Sequence, residues 1–271
     1  MLLNRRTYSG GIIPPSLPQI NWDDPINRNL RACLICQTGA QAPIDLVQQH
    51  AWSVSSDVPN ADEQTPLQSA GVRELDFSGA GTNSRAAIGL DGTFNTHSWV
   101  TWAKYDSGYG SFDYINALSS NDNSCFTNTT TQVVTRVKTD GTFRTISLGN
   151  PNDLAYHQYG ATYDYQPSGT STYAGYFDGK ARGSSAHTGT IGTSISGFRL
   201  GNRQTGGRLL VGRVAQARFW GDRVLTAKDY ERLYHEPWAG LVAPRWLPIQ
   251  AAAAPAGGNP WYYYAQQKAL I

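Results

Sequence analysis

In TQVVTRVKTDGTFRTISLG, two runs rich in β-branched residues flank the dipeptide Asp140-Gly141. Asp-Gly between such runs is the strongest short-range signal for a β-hairpin, because a tight primed turn needs positive φ at both central positions. TYAGYFDGKAR repeats the pattern around Asp178-Gly179. Alternation marks further strands. RELDFSG sets Leu75 and Phe77 on one face and Glu74 and Asp76 on the other, which reads as a solvated face. HSWVTWAKYD, AYHQYGATYD, GFRLGNR and LLVGRVAQARFWG continue the series at the spacing of a β-sandwich. The 28 glycines, 15 tyrosines and 8 tryptophans suit many short strands and turns. At 271 residues, one large all-β domain is the natural solution.

One segment breaks the rule. In GRVAQARFWGDRVLTAKDYERLYHEPWAGL, Ala215, Ala217 and Phe219 share the inward face of a strand, with Gln216, Arg218 and Trp220 opposite. Thr226 can cap a helix, and Asp229 stands three residues on, in a capping-box position. Ala227, Tyr230, Leu233 and Tyr234 form one apolar stripe at helical spacing. Pro237 stops the helix, which is expected from about Ala227 to His235.

The flanks differ from this middle. Residues 1–19 carry Gly10-Gly11, Pro14-Pro15 and Pro18, and residues 250–271 carry Pro255, Gly257-Gly258 and Pro260 around WYYY. Both read as extended arms outside a domain of residues 20–249. Tyr8, Ile12, Ile13, Trp246, Trp261, Tyr262, Tyr263 and Tyr264 are the candidate assembly contacts, since buried aromatics dominate interfaces. Seventeen arginines against five lysines fit either an assembling surface or simply the base composition of the genome.

A net charge of +2 gives no electrostatic footprint for nucleic acid. Asn4, Arg5 and Arg6 interrupt any signal-peptide core, and no apolar run approaches a membrane span. Cys33, Cys36 and Cys125 are an odd set without zinc-site partners, and they read as reduced core thiols. The expected setting is a cytosol.

The order of RELDFSG, YHQYGATYD, GYFDGKAR, FRLGNR and VGRVAQARFWGDRVLTAKDYERLYHEPW resembles the laminin-G-like, concanavalin A-like jelly-roll superfamily in its bacterial and phage form. INWDDPINRNLRACLI is similar to the opening segment of its phage members, and PWAGLVAPRWLPI to their close. The resemblance spans roughly Ile20 to Pro248. It implies an all-β jelly-roll sandwich with one short C-terminal helix and extended arms.

No catalytic constellation accompanies that fold. Glycosidases need a carboxylate pair across the scissile bond. The four glutamates, Glu63, Glu74, Glu231 and Glu236, show no such spacing. The five histidines make no metal-ligand motif, and no nucleophile elbow or P-loop is present. Relatives of the fold bind calcium at a loop rim. Asp106, Asp113, Asp122 and Asn123 offer oxygens there, against the plainer reading of a turn-forming loop, so no cofactor is assigned. Tyr105, Asp106, Tyr109, Asp113 and Tyr114 in YDSGYGSFDY are the candidate glycan-binding loop, because exposed aromatics beside polar side chains can stack on sugar rings, against the plainer reading that the aromatics are alternate strand residues filling the sandwich.

Two functions follow. The first is a non-enzymatic phage virion protein, assembled in the host cytoplasm, that decorates a head or serves a tail or collar. Its arms would engage other virion proteins, and by analogy it would be a homo-oligomer such as a trimer. The alternative is a lectin-like module that contacts host-surface polysaccharide.

Overall fold

The computed structural model describes residues 19–35, 43–48, 52–54, 60–61, 74–77, 80, 84–106, 112–118, 123–129, 132–150, 153–188, 195–203 and 207–242. Apart from Gln19, which begins β1, both proposed arms lie outside them, with Tyr8, Ile12, Ile13 and Trp261 to Tyr264, as do Trp246, Cys36, Tyr109 and Asp122. The first strands in chain order are β1 (Gln19–Ile20), β2 (Leu30–Ile35), β3 (Ile44–Asp45), β4 (Ser53–Val54), β5 (Asn60–Ala61) and β6 (Glu74–Asp76). β7 (Ala86–Phe94), β8 (His97–Tyr105), β9 (Tyr114–Leu118), β10 (Asn123–Thr129), β11 (Gln132–Thr139) and β12 (Thr142–Gly149) follow. Then come β13 (His157–Asp164), β14 (Thr170–Phe177), β15 (Lys180–Thr188), β16 (Ile195–Leu200), β17 (Gly212–Gly221), the helix α1 (Ala227–His235) and β18 (Leu241–Val242).

These strands make two antiparallel sheets face to face, a jelly-roll sandwich. One runs β12-β11-β10-β9-β16-β7-β4. The other runs β15-β14-β13-β8-β17-β2-β3, with β6 beside β17 and β5 beside β6. β1 pairs with β18, which brings the two ends of the described domain together. Both Asp-Gly signals make hairpins. Asp140 and Gly141 have φ of 48° and 77°, and Asp178 and Gly179 have 49° and 73°, the paired positive values of a primed turn.

The core lies between the sheets. Trp99, Tyr159, Tyr163, Val214 and Phe219 from one meet Ile115, Val133, Val137, Leu148 and Phe198 from the other. Cys33 and Cys125 are free buried thiols, and burial pushes both thiols up from the ordinary range.

β17 corrects the simple alternation. Its register with β8 slips between Val214 and Gln216, so Ala215 is an extra residue. A bulge of this kind exchanges the two faces of a strand. Val214, Ala217 and Phe219 therefore point into the sandwich, while Ala215 turns to the outer face with Trp220.

That outer face is covered by α1. Thr226 Oγ1 accepts from Asp229 N at 3.3 Å, and Asp229 Oδ2 accepts from Thr226 N at 2.8 Å, a complete capping box. Tyr230 and Leu233 pack on Val100, Trp102, Ala215 and Trp220. The Tyr230 ring stacks on Tyr176 at 3.8 Å, and its hydroxyl donates to Ala161 O at 2.7 Å.

Candidate functional site

The segment from Asn21 to Asn29 leaves β1 as a turn and one short 3₁₀ helix, Pro25–Asn27. Proline at the first helical position and the Asp24 cap, which accepts from Ile26 N at 3.0 Å, explain its start. Long-range bonds then fix it. Arg232 of α1 grips Asp24 with both guanidinium ends, at 2.9 and 2.6 Å. Trp220 Nε1 donates to Ile26 O at 2.7 Å, and Asn27 Nδ2 donates to Asn21 O at 2.9 Å and Gly240 O at 2.6 Å. Arg223 Nη1 donates to the carbonyls of Pro25, Ile26 and Arg28.

On this fixed segment stands Trp22, 59% exposed. It is the most exposed large apolar side chain among the described residues. Its neighbours form an open groove of about 520 Å³, lined by Trp22, Asn29, Leu30, Arg31, Val47, Gln48 and Asp91. The groove sits where both sheets meet. Gln48 Nε2 donates to Arg31 O in β2 and to Gly89 O in β7, at 3.2 Å each, and ties its floor across the sandwich. Asn29, at a φ of 61°, donates to Asp222 O at 3.1 Å and holds the corner. An indole face, a guanidinium, a carboxylate and two amides on one rigid rim can bind a flat ligand that has an apolar face and a hydroxylated edge.

The loop singled out from sequence does not provide such a surface. Tyr105 is 1% exposed and belongs to the sandwich core. Tyr114 is 3% exposed, with its ring stacked on Phe126 at 4.9 Å and its hydroxyl accepting from Arg136 Nη2 at 3.0 Å. Asp113 is also buried, and its backbone N donates to Thr127 Oγ1 at 2.9 Å. None of these three can reach a sugar ring, because each lies in or beside a paired strand. Tyr109 lies outside the described residues. Asp106 is half-buried and faces cations, 3.5 Å from Arg213 and 3.7 Å from Lys104. Of the proposed calcium ligands, Asn123 is buried in β10 and Asp122 is not described. Among the described residues no three acidic, histidine or cysteine side chains converge as a metal site.

Glu74 also departs from expectation. It is 1% exposed rather than part of a solvated face, because β6 is enclosed between β5 and β17. Arg213 lies 3.7 Å from Glu74 and 3.3 Å from Asp76. Burial pushes the Glu74 carboxyl up to about 7, and the charges of Asp76 and Asp106 add to this against Lys104. The folded state then holds a proton that the unfolded chain has released above its ordinary pKa near 4.3. Stability should therefore fall as pH rises from about 4.5 to 7. In urea unfolding at pH 5 and pH 8, Glu74→Gln is expected to shrink the difference between the two. An unchanged difference would show that Glu74 ionises freely in the fold.

No protein-family model and no curated protein sequence matches the chain. Solved structures do. The binding domain of Paraclostridial Mosquitocidal Protein 1 superposes with a TM-score of 0.57 at 14% identity, covering 77% of this chain and 52% of that one. The receptor binding domain of botulinum neurotoxin D gives 0.57 at 10%, covering 77% and 53%. The botulinum neurotoxin serotype D ligand binding domain in complex with N-acetylneuraminic acid gives 0.56 at 10%, covering 77% and 51%. At these identities the likeness is one of fold, and this chain spans about half the length of the chains it matches.

The sequence did hold a signal for Trp22. NWDDP places a tryptophan among turn formers, where no strand alternation can bury it.

Proposed function

We propose that this chain is a non-catalytic carbohydrate-binding module whose ligand lies in the Trp22 groove. The observation that carries this reading is an indole 59% exposed on a braced segment, beside Asn29, Arg31, Gln48 and Asp91. Sugars present flat faces of C–H groups and rims of hydroxyls, and such a rim matches both. Bracing lowers the ordering cost of binding. That the solved neighbours are binding domains, one of them holding N-acetylneuraminic acid, supports a glycan ligand over a catalytic role. Attachment to a virion through residues 1–19 and 250–271 is a separate proposal, resting on the sequence of the arms.

A glycan array of the full chain tests the groove reading. Trp22→Ala should weaken binding about 30-fold, the effect of losing a hot-spot aromatic worth roughly 2 kcal/mol. Its unfolding midpoint should stay near wild type, because the indole is mostly in solvent. A wild-type protein that binds no glycan, or a Trp22→Ala variant that binds as well, would overturn the reading.

A further inference from the structure

Arg31 and Asp91 line the same groove, yet neither makes an ion pair or a side-chain hydrogen bond with any described residue. Oppositely charged groups on one rim are available to a ligand when they do not satisfy each other. Arg31 is the more constrained. Its guanidinium lies over the Phe94 ring at 5.2 Å, and its Nε is buried with no acceptor. The ring contact holds the charge against an apolar wall, and burial removes water from Nε. A half-buried guanidinium whose Nη1 and Nη2 make no bond to the described residues is a site for an anionic group, which that end of the fork can meet with two parallel hydrogen bonds. Asp91 is exposed and can only accept, so it suits hydroxyls rather than a second anion.

From this we infer that the groove selects acidic saccharides, with a carboxylate or sulfate substituent on Arg31, the sugar face on Trp22 and neighbouring hydroxyls on Asp91 and Asn29. This inference rests on the groove reading above and adds the substrate class and the residue that sets it. Carboxylate and sulfate share the required chemistry, and the probes below separate them.

The experiment compares matched neutral, carboxylated and sulfated glycans, such as lactose, sialyllactose and sulfolactose, on an array probed with the full chain. Wild type should favour one or both acidic members about tenfold, the scale of a charge-assisted pair. Arg31→Gln should bring them down to the neutral level, and Arg31→Lys should keep part of the preference. Trp22→Ala should weaken neutral and acidic members alike. Near-ultraviolet circular dichroism of each variant confirms the fold, and Arg31→Lys carries the test if Arg31→Gln does not fold. Equal binding of neutral and acidic members by wild type, or an acid preference that survives in Arg31→Gln, would overturn the inference and leave the groove reading standing. No binding to any glycan would overturn the groove reading itself.

Discussion

Gly160→Ala should cost at least about 2 kcal/mol in urea unfolding, at the upper end of overpacking effects. Gly160 lies in β13 beneath α1, and a Cβ there would stand 2.3 Å from Tyr230 Cε1 and 3.1 Å from the Trp99 carbonyl oxygen. The Tyr230 ring has no room to move. Tyr176 stacks on it at 3.8 Å, and Ala161 O holds its hydroxyl at 2.7 Å. The missing side chain at 160 therefore lets α1 settle on the sheet. A double-mutant cycle sharpens the test. Tyr230→Ala alone should cost roughly 3–5 kcal/mol, as deletion of a buried aromatic does. Gly160→Ala added to it should cost far less than in wild type, because the clashing ring is gone. Full additivity would mean that the Gly160–Tyr230 contact does not set the seat of the helix.

Arg218→Met should cost about 3 kcal/mol by the same measurement. Arg218 is fully buried, and its Nη1 and Nη2 donate to Ala239 O at 2.7 Å and Pro237 O at 2.6 Å. Methionine replaces the stem but leaves the buried Ala239 carbonyl and the partly buried Pro237 carbonyl without donors, at roughly 1–3 kcal/mol for a fully buried orphan and less for a partly buried one. Burial lowers the Arg218 pKa from its usual value, with Asp24 and Cys33 acting against this, yet arginine remains a cation there. Lysine should recover roughly half of the loss or less, since one ammonium cannot span two carbonyls as a planar fork does. Removal of Arg218 should also loosen the turn after α1, and amides 239–241 should exchange faster with solvent. A stability within about 0.5 kcal/mol of wild type would show that the turn is held by its apolar contacts alone.

The parts of the fold legible in the sequence were those set by local chemistry. Asp140-Gly141 and Asp178-Gly179 demand a backbone few other pairs adopt, so both hairpins could be read directly. Thr226, Asp229 and Pro237 fixed the start and stop of α1 by capping and by the missing amide. What failed depends on neighbours distant in sequence. Ala215 changes face because β17 carries a bulge against β8, and alternation alone cannot place a bulge. Glu74 is buried because β5 and β17 enclose its strand, which a polar alternating position does not announce.

The candidate site was harder still. The glycine, serine and aspartate around Tyr105 and Tyr114 fit either an exposed loop or strand residues that fill the sandwich, and each ring packs beside a paired strand. Trp22 belongs to the segment that opens the fold, and nothing in its local sequence places Arg31, Gln48 and Asp91, from three separate stretches of chain, beside it.

The most direct measurement of the groove assignment is amide and indole chemical-shift mapping on the full chain during titration with the tightest array ligand. Comparison with Trp22→Phe assigns the Trp22 indole signal. The expected result is a saturable shift of that signal, together with the amides of Asn29, Arg31, Gln48 and Asp91. Shifts centred on residues 105–114 with Trp22 unmoved would contradict the groove and return the site to the loop first read from the sequence.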